Sequence, residues 1–246
     1  MYIKKHKHLN QKLWTNTDEL KQPVLEMLMS IVWSYIDSVR SLNAIDVCNS
    51  DVKDVFIYGS CTNYFYTNKS DIDMCIILDF DKIFERNPGL KNESNFKLYY
   101  YNWAMTHRCK IYGRKIDVSF ENEKNTISPN GRYRSGPVYS VMHNRWLFKP
   151  IVISDQEYKK INKDSKLVCK QILHDYDIVK KNGFVFKDVQ KLYKDIYDAK
   201  NISHKTNLEQ PVTYMYVAFR KIRGMGILDK LRDKMVESES EHFVLK

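Results

Sequence analysis

Apolar positions recur with two different periods along the chain, and the change of period marks the predicted elements. Between Leu20 and Val39 apolar residues recur every three or four positions, which is typical of a long amphipathic helix. Apolar runs at residues 55–58 and 72–78, the second containing Asp73, predict two buried strands. Residues 108–112 and 115–120 flank Gly113-Arg114, a plausible hairpin turn. The first half of the chain therefore predicts a small sheet with a flanking helix.

The period becomes helical throughout the second half of the chain. Beyond Pro150, the segments with this period are residues 157–181, 187–199 and 212–235. Residues 122–136 are rich in Asn, Ser, Pro and Gly, so we expect a domain boundary there. The predicted organisation is a mixed domain of residues 1–136 and a helical domain of residues 137–246, with residues 1–13 basic and flexible.

Acidic residues open the second predicted strand. Side chains alternate along a strand, so Asp71 and Asp73 point to the same side while Ile72 points to the other. A third carboxylate, Asp117, lies on the polar face of the strand predicted at residues 115–120. Carboxylate oxygens side by side suit Mg²⁺. Three such groups converging from neighbouring strands would form a two-metal site for phosphoryl chemistry.

The spacing of these residues resembles that of a known superfamily. Gly59-Ser60 is followed by nine residues, then by Ser70-Asp71-Ile72-Asp73, with Asp117 on a later strand. This pattern is similar to that of the DNA polymerase beta-type nucleotidyltransferases, and the resemblance covers residues 17–120. It implies an α/β (α+β) fold, with a nucleotidyltransferase-like small mixed sheet and flanking helices, followed by a mainly helical subdomain. Residues 1–136 would then be the catalytic domain, and residues 137–246 would bind the acceptor.

The resemblance also implies a reaction and a role for each site residue. A nucleoside monophosphate would pass from a nucleoside triphosphate, with ATP expected, to an acceptor hydroxyl, and pyrophosphate would be released. Asp71 and Asp73 would bridge two Mg²⁺ or Mn²⁺ ions, and Asp117 would hold one of them. The residues expected to contact the nucleotide are Gly59, Ser60 and Ser70.

The identity of the acceptor stays open at this level. RNA, a protein side chain and a small molecule are all compatible with the pattern. A synthase of cyclic or linear oligonucleotide signals is one alternative function. A nucleotidyltransferase-like module that has lost turnover and binds RNA or a protein partner is another. Three converging carboxylates argue against the last, because they repel phosphate unless metal is present.

Charge and cysteine content indicate the partners and the cellular compartment of the protein, but not its reaction. A formal net charge of +10 favours polyanionic partners such as a nucleoside triphosphate, a nucleic acid or an acidic protein, and is equally compatible with plain solubility. Five cysteines without a Cys-x-x-Cys pair indicate reduced thiols. No apolar run reaches the length of about 18 residues that a membrane span requires. We expect a cytoplasmic protein with no membrane partner, and oligomeric state is left open.

For several other polar and aromatic groups, the sequence is compatible with both a functional and a purely structural role. Basic residues near the acidic cluster could contact phosphate or be ordinary surface charges; they are Lys69, Arg108, Lys110, Arg114 and Lys115. Arg132 and Arg134 flank Tyr133 in a segment that suits either nucleotide stacking or a plain linker. The aromatic residues 99–101, with Trp103, could line a base pocket or belong to the core. His143, His174 and His204 are isolated from one another, so no zinc site is predicted.

Overall fold

The computed structural model describes most of the chain and divides it into two compact units. Described residues are 4–42, 45–68, 70–90, 99, 103, 107, 109–126, 136–206 and 212–242. One unit comprises Lys4–Ile151, and the other begins at Val152. The sheet continues past the predicted boundary at residue 136, because two of its strands lie between residues 138 and 148.

Helices and strands alternate in the first unit, and the second is helical in its described part. The elements of the first unit are α1 (Gln22–Leu42), β1 (Val52–Tyr58), β2 (Ile72–Leu78), α2 (Phe80–Arg86), β3 (Lys110–Ile111), β4 (Arg114–Asn122), α3 (Glu123–Thr126), β5 (Val138–Ser140) and β6 (Arg145–Phe148). Those of the second are α4 (Asp155–Lys181), α5 (Phe186–Thr206), α6 (Tyr214–Gly224) and α7 (Ile227–His242). Within the described residues, no helix is both long and apolar enough to cross a bilayer.

The strands form one six-stranded mixed sheet in the order β3-β4-β2-β1-β5-β6. β2 pairs with β4 in parallel, and every other pair is antiparallel. A parallel pair needs a long crossover connection, and residues 79–113 supply it between β2 and β4. The predicted fold class is confirmed: a small mixed sheet with flanking helices, followed by a helical part.

Helix α1 covers one face of this sheet. Its buried residues follow the period predicted from the sequence: Val24, Leu28, Val32, Tyr35, Ile36 and Val39. The Tyr35 ring lies 5.0 Å from that of Phe120 on β4, measured between centroids. Pro23 occupies the first turn, where its missing N–H costs no helical hydrogen bond. A smaller apolar cluster on the opposite face contains Phe56, Cys75, Ile77 and Val138.

The hairpin is confirmed, with its turn one residue earlier than predicted. Tyr112 and Gly113 both have positive φ, at 49° and 77°, as a two-residue hairpin turn of the mirror-image type requires. Gly59–Thr62 forms a 3₁₀ turn directly after β1. The hairpin of β5 and β6 was not predicted from the sequence.

The prediction of a flexible N-terminus was wrong from Lys4 onward. Leu9, Leu13 and Trp14 are all buried, and the Trp14 side chain is 0% exposed. The Trp14 indole N–H donates to the Cys61 carbonyl over 2.9 Å, and its ring stacks on that of Trp146 at 4.8 Å between centroids. The basic segment is therefore fixed to the sheet unit by a buried aromatic anchor.

A buried lysine joins two helices in the second unit. The Lys221 ammonium on α6 donates to Asn162 Oδ1 over 2.6 Å and to Ser165 Oγ over 2.8 Å, both on α4. Burial lowers the pKa of Lys221. The acceptors of the Lys221 ammonium are neutral oxygens rather than a carboxylate. These hydrogen bonds specify how α4 and α6 align. The apolar core around it includes Cys169, Ile172, Ala218 and Ile222.

We expect Trp14→Ala to lower the free energy of unfolding by about 3–5 kcal/mol, because it empties a buried site and leaves the Cys61 carbonyl without its donor. Denaturant unfolding followed by circular dichroism measures this loss. Met27→Ala, at a side chain 42% exposed, is the matched control and should cost less than about 1 kcal/mol. Equal effects of the two substitutions would contradict a fixed N-terminal segment.

Candidate active site

Two of the three predicted acidic residues face each other across the parallel strand pair. Asp73 on β2 is the register partner of Asp117 on β4. Neighbouring strands lie about 4.8 Å apart, and partnered residues project to the same face of a sheet. The preceding partners, Ile72 and Ile116, are buried on the opposite face. The register thus places both carboxylates on one side of the sheet.

The third predicted residue, Asp71, directly precedes β2 and is partly exposed. The Asp117 carboxylate forms an ion pair with Lys115, with 2.5 Å between Oδ1 and Nζ. Among the residues that the structure describes, no group of three or more His, Cys, Asp or Glu side chains is arranged to hold a metal ion. The backbone therefore brings the acidic positions together, while the Asp117 side chain is engaged by a neighbouring lysine.

Gly59 lies directly against the carboxylate of Asp73. Its φ is +78°, and a Cβ at this position would lie 2.0 Å from Asp73 Oδ2. The register explains the approach, because Tyr58 at the end of β1 is the partner of Asp73. Only glycine has both the backbone freedom and the lack of a side chain that this turn needs.

Two side chains after the Gly-Ser pair hold the turn in place. The Thr62 hydroxyl and the Asn63 amide both donate to the Gly59 carbonyl, over 2.9 Å and 3.1 Å. Both residues are buried. Ser60 lies within the same 3₁₀ turn with a partly exposed side chain. The sequence pattern assigned no role to Thr62 or Asn63. A hydroxyl and an amide side chain directly after Gly-Ser could have indicated that they hold the turn.

Ser70 has a structural position in the loop before Asp71. Its side chain is 3% exposed, and its hydroxyl accepts a hydrogen bond from the Thr67 N–H over 2.8 Å. The Ser70 N–H donates in turn to the Thr67 carbonyl over 3.0 Å. This predicted nucleotide contact is thus engaged inside the protein, where it closes the turn that leads into β2.

Arg114 is buried rather than at the surface. The guanidinium is 6% exposed, and Nη1 donates to the Ser70 carbonyl over 2.6 Å and to the Thr67 carbonyl over 3.0 Å. Arg114 begins β4, three residues before Asp117. One cation therefore ties the strand that carries Asp117 to the loop that leads into Asp71 and Asp73.

A buried thiol lies beneath the acidic positions. Burial raises the pKa of Cys61 to about 12, and the negative charge of Asp73 acts in the same direction. The Cys61 thiol donates to the Tyr58 carbonyl over 3.2 Å. At neutral pH Cys61 is a neutral, packed side chain and supplies neither a nucleophile nor a metal ligand.

A second polar cluster has the composition of a hydrolytic triad but not its geometry. His143 Nδ1 lies 3.1 Å from both Ser140 Oγ and Asp54 Oδ2, and the Ser140 hydroxyl donates to Asp54 over 2.7 Å. A triad needs different imidazole nitrogens for the serine and the carboxylate. Ser140 is also completely buried. The cluster joins β1 to the β5–β6 hairpin and has no catalytic arrangement.

Some predicted contacts lie outside the described residues. They are Lys69, Arg108, Arg132, Tyr133, Arg134, Tyr100 and Tyr101. Trp103 is described and belongs to the core: it is 6% exposed, and its ring lies 5.6 Å from that of Tyr35, measured between centroids. Lys110 is exposed on β3.

Gly59→Ala and Gly113→Ala separate steric conflict from backbone strain. Both glycines have nearly equal positive φ, but a Cβ at Gly113 would meet nothing within 4 Å. We expect Gly113→Ala to cost about 1–2 kcal/mol of unfolding free energy from strain alone. Gly59→Ala should cost at least about 1 kcal/mol more, because Asp73 must move. Equal losses in chemical denaturation would show that Gly59 and Asp73 are not in contact.

Arg114→Ala tests the tie between the loop and β4. We expect a loss of about 2–3 kcal/mol, because a charged donor leaves the buried Ser70 carbonyl unpaired. The change is measured as a shift in the denaturation midpoint. Lys110→Ala removes an exposed cation from the neighbouring strand and should change stability by no more than about 0.5 kcal/mol. A stable Arg114→Ala protein would refute the tie.

Comparison with known families supplies an independent assignment for this part of the chain. Residues 9–123 match the model of the central palm domain of poly(A) RNA polymerase, mitochondrial-like. The match contains β1, β2 and β4 and all of the predicted site residues. Comparisons with curated proteins and with solved structures found no match. Residues 9–123 are therefore similar to the central palm domain of a poly(A) polymerase family within the DNA polymerase beta-type nucleotidyltransferase superfamily.

Proposed function

We propose that this protein transfers a nucleoside monophosphate from a nucleoside triphosphate to an acceptor hydroxyl and releases pyrophosphate. The observation that carries the proposal is the register of Asp73 with Asp117, beside the Gly59 turn, on a palm domain. Neither a scaffold nor a simple binding surface requires two carboxylates at neighbouring positions of a parallel pair, with the backbone of a glycine against one of them.

The donor set suits a hard divalent cation. Asp71, Asp73 and Asp117 offer only carboxylate oxygens, and these are ligands that Mg²⁺ and Mn²⁺ prefer. We propose that these three residues hold the metal. When bound, the metal would neutralise phosphate charge and lower the pKa of the attacking hydroxyl.

The protein's own groups position the nucleotide. Gly59 presents backbone without a side chain, so a phosphate group can approach it closely. The Ser60 hydroxyl is partly exposed and is the proposed donor to the triphosphate. Ser70 acts indirectly by bracing the loop before Asp71.

Asp117 is the proposed acceptor of the proton from the attacking hydroxyl. Its side chain is 47% exposed and pairs through Oδ1 with the Lys115 ammonium, whose own side chain is 68% exposed. A phosphate oxygen of the substrate would compete with Asp117 for this ammonium. Binding of the substrate would then weaken the ion pair and make the Asp117 carboxylate available to accept the proton.

ATP and RNA are the first substrates to test. The matched family is described as a poly(A) RNA polymerase, which favours adenosine nucleotide as donor and an RNA hydroxyl as acceptor. The helical unit that begins at Val152 is the proposed acceptor-binding part. Its sequence shows no motif that favours a protein or a small-molecule acceptor.

The proposal predicts label transfer that depends on the acidic residues. Full-length protein is incubated with each α-labelled NTP and Mg²⁺ or Mn²⁺, with and without RNA, and pyrophosphate is measured. We expect Asp73→Asn and Asp117→Asn to lower the rate at least about 1,000-fold, because each removes a charged ligand from the proposed site. Asp81→Asn, an exposed carboxylate on α2, should retain full activity.

The products distinguish the alternatives. Label in RNA supports terminal transfer, whereas label in a small soluble product would show an oligonucleotide synthase. If wild-type protein releases no pyrophosphate with any nucleotide and acceptor, the enzyme proposal is wrong. The remaining function would be that of a binding module.

A further inference from the structure

A shallow pocket lies between the N-terminal segment and the loop that precedes β2. Its volume is about 470 Å³, within the range of ligand sites in proteins. Its lining includes His6, Lys7, His8, Lys12, Tyr66 and Asn68. Tyr66 and Asn68 flank Thr67, whose carbonyl is held by Arg114, so the pocket borders the turn before Asp71.

The pocket is electropositive. Lys7, His8 and Lys12 are exposed, and none of them forms an ion pair within the described part of the chain. No carboxylate lines the pocket. Two lysines and a histidine in one concave surface attract an anion, and no carboxylate in the lining repels it.

An aromatic pair forms one wall of the pocket. The rings of His6 and Tyr66 stack with 3.9 Å between centroids and an interplanar angle of 13°. His6 Nε2 lies 3.2 Å from the Tyr66 carbonyl, which can only accept, so Nε2 carries the proton. Nδ1 of the neutral ring is then a hydrogen-bond acceptor. Burial lowers the pKa of His6 and favours this neutral form.

The segment that carries these groups is fixed before any ligand binds. The His6 N–H donates to the Tyr64 carbonyl over 2.8 Å. Asn10 Oδ1 accepts a hydrogen bond from the Lys12 N–H over 3.1 Å, and Leu9 is buried. Because the backbone is already ordered, a ligand would pay little entropy to organise the pocket.

We propose that this pocket binds a nucleotide unit, in addition to the nucleotide at the Asp73 site. Lys7 and Lys12 contact its phosphate, and its base packs against the His6–Tyr66 pair, with Asn68 and His6 Nδ1 as polar partners. The chemistry is the same for a free nucleotide and for a residue of a nucleic acid strand. An acidic peptide would satisfy the lysines but would leave the aromatic wall and the acceptor nitrogen unused.

The test uses full-length protein and fluorescence anisotropy of a labelled ten-nucleotide oligo(A). Lys7→Ala/Lys12→Ala should weaken binding about 10-fold and reduce the slope of log K against log salt by about 1.4, the value for two lost phosphate contacts. Tyr66→Leu should weaken binding about 10-fold, the expected loss of one stacked base. Lys82→Ala/Lys124→Ala removes the same charge from exposed lysines of α2 and α3, which belong neither to the pocket nor to the proposed acceptor-binding unit, and should change the affinity less than 2-fold.

Competition identifies the source of the nucleotide unit. AMP that displaces the probe supports a free nucleotide, and displacement only by longer oligo(A) supports a strand. Inorganic phosphate competing as well as AMP would overturn the proposal, because the aromatic wall would then contribute nothing. Equal affinities of the Lys7→Ala/Lys12→Ala protein and its charge-matched control would overturn it too, provided that both proteins melt like the wild type.

The experiments distinguish failure of the proposed reaction from failure of the proposed pocket. Asp73→Asn removes a residue of the proposed catalytic site but none of the pocket, so it should bind the probe with wild-type affinity. Probe binding that is lost in Asp73→Asn and unchanged in Lys7→Ala/Lys12→Ala would place the nucleotide at the acidic site and refute the pocket. Absence of nucleotidyl transfer with normal probe binding would refute the proposed reaction and leave the pocket standing.

Discussion

The parallel pairing of β2 with β4 is the constraint on which the rest of the candidate site depends. It makes Asp73 and Asp117 partners although the chain between them includes α2 and a hairpin. On its other side β2 pairs with β1, and that register brings Tyr58, and thus Gly59, to Asp73. A slip of one residue in either pair would turn every side chain of a strand to the opposite face and separate these groups. Burial of Ile72 and Ile116 opposes such a slip.

Buried polar groups hold the loops at the ends of these strands. Arg114 fills the space under the turn before Asp71, and Thr62 and Asn63 hold the carbonyl of Gly59. Such contacts contribute less to stability than apolar packing, since desolvation offsets much of their attraction. Their value is geometric: they specify one loop conformation where apolar packing alone would accept several. A nucleotide site requires that restriction, because a displacement of about 1 Å can cost a factor of 100 in rate.

Local sequence patterns predicted the elements that carry their own signal. Three elements were recognised without tertiary context: α1 from its period, β2 from its apolar run and β4 from its polar alternation. The spacing from Gly-Ser to Asp-x-Asp was recognised in the same way. The N-terminal anchor was missed because Leu9 and Leu13 stand among basic residues, and Trp14 finds its partners, Tyr139 and Trp146, far along the chain. β5 and β6 are too short for a periodic signal. Arg114 was ambiguous because sequence cannot show that a cation beside a turn points inward.

Cys61 has a consequence for the chemistry that this protein can tolerate. Oxidants and electrophiles react with thiolate, and a pKa of about 12 leaves on the order of one thiolate in 100,000 at pH 7. The thiol beside Asp73 is therefore insensitive to the oxidation that inactivates enzymes with acidic thiols. Cys48, exposed before β1, is the thiol that peroxide would meet first. Oxidation of this protein would therefore begin at an exposed thiol and leave the one beneath the candidate site unchanged.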